Sequence, residues 1–383
     1  MTLLRLEGLR VGFTGGAATS SEGEADNEAS AVDGIDLSVE PGETVCLVGE
    51  SGSGKSVTAL ALMGLLPDNA RLLGGRAWLG AAGGETPVDL LRLPERAHRQ
   101  LRGPRLAMIF QEPMTSLNPV MTVGEQIREV LTIHQPELDA ETARARVVDV
   151  MTQVRLPDPE SRYSEYPHRL SGGQRQRVMI AMALVCAPDL LIADEPTTAL
   201  DVTVQAEILA LLHDLQQRRR MGLLFITHDF GVVAQVAHRV AVMRRGRIVE
   251  SGVTETLLRH AEHEYTRALL AALPERRARG ERPAPGDETL VRFDDLKVHF
   301  PVRRGLLRRV VGQVKAVDGV SLAIPQGGIT ALVGESGSGK TTVGRALLRL
   351  VDATAGRIAF AGEDVTRLGR RSLRPFRRRV QAV

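Results

Sequence analysis

An α/β fold built on a parallel sheet is what this 383-residue sequence predicts, and three observations carry it. Short, mainly apolar runs at 44–48, 190–193 and 223–227 have the composition of strands buried on both faces. Residues 206–219, between the last two runs, have helical spacing, and strand, helix, strand in that order implies right-handed crossovers over a common sheet. The third observation is an octapeptide after the first run, Gly49-Glu50-Ser51-Gly52-Ser53-Gly54-Lys55-Ser56, ahead of a helical pattern over 56–66.

The octapeptide recurs 285 positions later as Gly334-Glu335-Ser336-Gly337-Ser338-Gly339-Lys340-Thr341. Its flank repeats too, Val32-Asp33-Gly34-Ile35 against Val317-Asp318-Gly319-Val320, so a module is duplicated. The expected division is a first domain over 1–272, a charged Pro/Gly-rich linker over 273–288 and a second module over 289–383. Within the first domain, 3–13 and 31–48 cluster apolar residues as strands do. The Gly/Ala/Ser/Glu stretch between them, 14–30, reads as a mobile hairpin loop. Residues 122–186 are mostly helical, with a break near 157–167.

Composition narrows the class. An apolar content of 43% supports real cores, while aromatics reach only 3%. Of 49 Lys and Arg residues only four are lysine, a bias that fits a GC-rich bacterial genome. Two of the four, Lys55 and Lys340, nevertheless sit in the Gly-rich octapeptides, which singles them out. Residues 1–288 carry a net −8 and residues 289–383 a net +11. The arginines at 370, 371, 374 and 377–379 read as a solvated basic face, accompanied only by Phe376, and no nucleic-acid partner is expected. Cys46 and Cys186 lie in apolar runs without CxxC spacing, as small buried hydrophobes of a reducing cytosol do. The first ten residues lack a signal-peptide core, and the longest apolar run, 178–188, is too short to cross a bilayer. A membrane role would borrow its span from a partner.

The pattern G-x-x-x-x-G-K-S between a strand and a helix is the context a phosphate cradle needs. Glycines let backbone N–H groups approach phosphate oxygens, and the helix start adds partial positive charge. Lys55 reaches the terminal phosphates, and the Ser56 hydroxyl is a Mg²⁺ ligand. Asp194 and Glu195 close the apolar run at 190–193. At such a strand end Asp194 holds the metal through water and Glu195 accepts a proton from attacking water. A further anion site at a helix start is suggested by Ser171-Gly172-Gly173-Gln174. One nucleotide does not need two such cradles, so this turn is expected to close over a nucleotide bound by another domain.

Leu170-Ser171-Gly172-Gly173-Gln174 resembles the signature of ATP-binding cassette ATPases, and the other marks stand in that family's order. The resemblance implies that Phe13 stacks on adenine, that Gln111 senses γ-phosphate and Mg²⁺, and that His228 positions the γ-phosphate. Ala199-Leu200-Asp201 resembles the loop that meets the opposite subunit. The implied fold is a P-loop NTPase with a RecA-like parallel-sheet core, an antiparallel β subdomain and an α-helical signature subdomain near 112–186. The implied cofactors are ATP and Mg²⁺.

The stretch from Phe110 to Gly124 and the run His263-Glu-Tyr-Thr-Arg-Ala-Leu-Leu-Ala-Ala-Leu-Pro274 are similar to dipeptide and oligopeptide importer ATPases. The second half, from Val298-His299-Phe300, resembles the partner ATPase of the same importers, giving a fused tandem subunit. Such a subunit powers uptake of peptides, glutathione or nickel at the cytoplasmic face of the bacterial inner membrane. Its partners are permease subunits that receive the motion around 111–122, an extracytoplasmic solute-binding protein and a facing cassette. The family's iron–sulfur cysteines have no counterpart after the first cassette, and no cluster is expected. The competing reading, a soluble tandem-cassette factor on ribosomes or DNA, calls for a long basic helical linker in place of this short Pro-rich one.

The second copy keeps Phe300, Lys340 and Thr341 but reaches Val383 in the register of Ile109, before a sensing glutamine. A truncated second cassette is therefore expected, with exposed apolar strand surface. Neither composite ATP site would be complete within one chain.

Overall fold

The computed structural model describes residues 2–14, 29–80, 86–111, 116–198, 200–273, 288–304, 309–335 and 337–382. Most of the 14–30 hairpin loop, most of the 273–288 linker, Ala199 and Ser336 lie outside these residues. The chain divides into two compact units, residues 1–277 and 278–383.

In the first unit, strands β1 (Leu4–Phe13), β2 (Ala29–Val39), β4 (Ala70–Leu79) and β5 (Val88–Asp89) form an antiparallel sheet in the order β2-β1-β4-β5. A second sheet orders β10-β9-β3-β8-β7-β6, from β3 (Thr44–Val48), β6 (Leu106–Ile109), β7 (Leu190–Asp194), β8 (Gly222–Thr227), β9 (Arg239–Arg244) and β10 (Arg247–Val253). All its pairs are parallel except the edge pair β9-β10. β3 is central, paired from Thr44↔Leu223 to Val48↔Thr227 on one side and with β9 on the other.

The two-residue period of a strand distributes these apolar runs between two cores. Cys46, Val48, Leu191, Ala193 and Phe225 face a core shared with helices Val123–His134, Ala140–Gln153 and Gly172–Leu184. Val45, Leu47, Ile192, Leu224 and Ile226 face the opposite core, against β1, β2 and helix Lys55–Leu62. Apolar side chains on both faces thus need no hydrophobic alternation along the strand, which is why the sequence shows runs.

The helical pattern over 122–186 resolves into capped segments. Thr122 and Glu125 form a reciprocal capping box at one start, and Asp139 caps the next. Helix Val202–Arg219 begins four residues earlier than its periodicity suggests, because the Asp201 carboxylate accepts the Val204 N–H at 3.0 Å. Apolar spacing alone had missed the β9-β10 hairpin. Its turn, Arg245-Gly246, holds both residues at positive φ (48° and 82°).

The second unit is an antiparallel sheet ordered β12-β11-β13-β14, from β11 (Thr289–Arg304), β12 (Arg309–Pro325), β13 (Ala355–Phe360) and β14 (Glu363–Asp364). Its core includes Phe293, Leu296, Val298, Ile358 and Phe360. The arginine-rich tail forms helix Arg370–Arg379, and Phe376 seats its ring edge-on to Phe360 with centroids 5.5 Å apart. Residues 328–335, in the position of β3, form no strand. Ile329 is 94% exposed, Leu332 44% and Val333 88%, which is the exposed apolar surface expected of this copy.

Candidate functional site

Parallel strands that end at the same edge bring their C-terminal residues together, and here β3, β7 and β8 deliver the site. Beyond Val48 the chain turns through residues 49–54 into helix Lys55–Leu62. Gly54 has φ 105°, and a Cβ there would lie 2.3 Å from the Ala31 carbonyl, so only glycine fits. A Cβ on Gly49 would lie 2.1 Å from the Met243 carbonyl. No side chain caps the helix start, which leaves its first-turn amides directed at the loop's concavity.

Lys55 is 5% exposed, and its Nζ donates to the carbonyls of Gly49 and Glu50, each at 2.8 Å. Burial pulls its ammonium below the usual lysine range, against the opposing charges of Glu195, Asp194 and Glu50. Asp194, at the tip of β7, is buried and bonded to the Ser56 hydroxyl. Burial pushes its carboxyl up, Ser56 offsets part of the shift, and Oδ1 has no hydrogen-bond partner among the described residues.

Glu195 follows in the left-handed region at φ 45°, with its N–H on the Ile226 carbonyl of β8 at 2.9 Å. Its carboxylate is clamped. His228 Nδ1 is hydrogen-bonded to Oε1 at 3.0 Å, while Thr198 Oγ1 and Gln111 Nε2 donate to Oε2 at 3.0 and 3.2 Å. Burial pushes this carboxyl up, yet the His228 and Thr198 bonds, then the His228 and Lys55 charges, hold it below the usual range. The two neighbouring carboxylates are thus shifted in opposite directions.

The structure gathers Lys55, Ser56, Gln111, Asp194, Glu195 and His228 in one place. The Ser171-Gln174 turn stands apart. Ser171 Oγ accepts the Gln174 N–H at 3.3 Å and Gln174 Oε1 accepts the Ser171 N–H at 3.1 Å, a capping box at an exposed helix start. Phe13 is half-buried at the end of β1, paired with Ala29 and Ala70. In the second unit, Gly339 has φ 94°, and Lys340 Nζ donates to the Gly334 and Glu335 carbonyls at 2.5 and 2.6 Å. Phe300 is exposed on β11, and Thr341 is exposed at the helix start. Thr198 was missed from sequence; its one signal was its place between the Asp194-Glu195 pair and Leu200-Asp201.

A Mg²⁺ ion fits this donor set. Among the described residues no three or more His, Cys, Asp or Glu side chains could together hold a metal. Mg²⁺ is bound by one or two protein oxygens alongside phosphates and waters, and the free Asp194 Oδ1 beside the Ser56 hydroxyl supplies that arrangement.

An uncapped phosphate loop beside paired carboxylates at the tips of a parallel sheet defines a nucleotide-binding cassette of the P-loop class. The family model described as ABC transporter matches residues 32–198 and 317–383, and the chain belongs to that family. Peptidoglycan transport ATP-binding protein YejF of Agrobacterium fabrum is 50% identical over 384 residues, covering 100% of this chain and 66% of that protein. Glutathione import ATP-binding protein GsiA of Escherichia coli (strain K12) is 47% identical over 378 residues, covering 92% of this chain and 60% of that protein. The chain therefore spans under two thirds of the length of these relatives. Among solved structures, the ATP-binding cassette MJ0796, dimeric, post-hydrolysis and bound to ADP and Pi, matches at a TM-score of 0.56 and 24% identity. That match covers 66% of this chain and 98% of the other. The match to cbiO1 of Clostridium perfringens, part of the ABC transporter complex cbiONQ, has a TM-score of 0.55 at 26% identity, over 72% and 96% of the two chains. Among the described residues no helix is long and apolar enough to cross a membrane.

Proposed function

We propose that this chain binds and hydrolyses ATP to power import of peptides or related small solutes through separate membrane permease subunits. The observation that carries the reading is the clamped carboxylate of Glu195 beside Lys55, Ser56 and Asp194. ATP seats its phosphates on the amides and ammonium of residues 49–56, with adenine against Phe13. Ser56, Asp194 and Gln111 would hold Mg²⁺, which neutralises charge on the phosphate oxygens. Glu195 accepts a proton from water as that water attacks the γ-phosphorus and the bond to ADP breaks. His228 and Thr198 keep the base ionised and aimed, and His228 also positions the γ-phosphate.

A second nucleotide seats on residues 334–341, with Phe300 and Thr341 in the places of Phe13 and Ser56. Ser171, Gly172, Gly173 and Gln174 close over a nucleotide held by a facing cassette. The subunit works at the cytoplasmic face of the inner membrane, with a solute-binding protein feeding the permease from outside. The test is Mg-ATP turnover by the purified chain at several concentrations. Turnover should rise with protein concentration and vanish in Glu195→Gln, which still binds nucleotide. Equal turnover in both proteins rejects the reading. The transport step is tested by ATP-dependent peptide or glutathione uptake into vesicles that carry cognate permeases.

A further inference from the structure

Outside its concave face the Gly-rich loop is gripped by residues that the hydrolytic chemistry does not use. Tyr265, on helix Glu264–Ala271, is buried, and its hydroxyl accepts the backbone N–H of Glu50 at 3.3 Å. The same hydroxyl is bonded to the Glu50 carboxylate. The Arg244 guanidinium lies 4.7 Å from the ring centroid. The helix itself is fixed at its start, where the Glu250 carboxylate accepts the N–H groups of Glu262 and His263 at 2.7 and 3.2 Å. On the loop's other flank, Gly246 donates its N–H to the Ser53 carbonyl at 3.0 Å. The β9-β10 hairpin and this helix thus hold the loop at both ends.

We propose that Tyr265 is a positioning residue for the phosphate loop, holding the Glu50 amide so that the remaining loop amides converge on the bound anion. The proposal rests on the reading of residues 49–56 as the nucleotide site. The second octapeptide serves as an internal comparison, because all three tyrosines (163, 166 and 265) belong to the first unit.

The experiment is Tyr265→Phe in the full chain, which keeps the ring and its stacking with Arg244. Amide hydrogen exchange should quicken about fivefold over residues 49–54, the effect of one ordinary hydrogen bond, with 44–48 and 334–339 unchanged. KM for ATP should rise about fivefold while kcat holds. Unchanged exchange over 49–54, loosening of 44–48 to the same extent, or a fall in kcat at constant KM would each overturn the proposal. Wild-type chain that fails to bind Mg-ATP defeats the proposed function instead, and the exchange comparison still decides whether Tyr265 holds the loop.

Discussion

The octapeptides at 49–56 and 334–341 differ only in Ser56 against Thr341, yet their surroundings diverge. What the two loops share is local. Each final glycine sits at positive φ against a strand carbonyl, Gly54 on Ala31 and Gly339 on Ala316, and each lysine folds onto the carbonyls five and six residues back. What differs needs distant sequence. Val45 to Val48 are a strand flanked by β8 and β9, whereas the corresponding residues Thr330 to Val333 have no such neighbours among the described residues and form none. Loop curvature is thus written in eight residues, while a buried parallel strand exists only where its partners do.

Four experiments sharpen that contrast. Glu195→Gln should cut kcat by about 10²–10⁴, because it removes the carboxylate proposed to accept the proton of the attacking water; single-turnover kinetics reads it. Phe225→Ala, in the fully buried β8, should destabilise the first unit by about 3–5 kcal/mol in denaturant unfolding. Val333→Ala, at 88% exposure, should stay within about 0.5 kcal/mol. If Val333→Ala proves as costly, the two units are more alike than their folds indicate.

Titration calorimetry should show Lys55→Ala weakening ATP binding by about 10–100-fold, the range for a charged hydrogen bond. The more exposed Lys340 should matter less. The smallest effect concerns pH. A carboxylate held below its ordinary range adds stability above its unfolded-state pKa, and that stability is lost as pH falls through the folded value. As the proposed base, Glu195 must be ionised, so kcat should fall along the same limb. His228→Ala removes support for the charged form and should move that acid limb to higher pH; an unmoved limb breaks the assignment.

Much of the chemistry was legible because it sits in contiguous residues. The loop and Asp194-Glu195 at a strand end follow from short patterns, Gln111 and His228 from the family resemblance, and the structure brings them together. The Ser171 hydroxyl, read as part of an anion site, is here occupied in capping its own helix. Tyr265 stood in a run that signalled only family likeness, not a contact, and the β9-β10 hairpin carried no signal. Tyr265 meets a loop 215 positions away, and a partnership at that distance leaves no local periodicity. Thr198 escaped because a threonine after a strand is unremarkable until the chain folds it against a carboxylate.

The left-handed backbone of Glu195 costs about 1 kcal/mol that a glycine would not incur. Glycine or asparagine there would relieve that strain, but only by giving up the carboxylate's bonds to His228, Thr198 and Gln111. A library scored for both heat resistance and turnover would weigh relieved strain against those lost contacts at this residue.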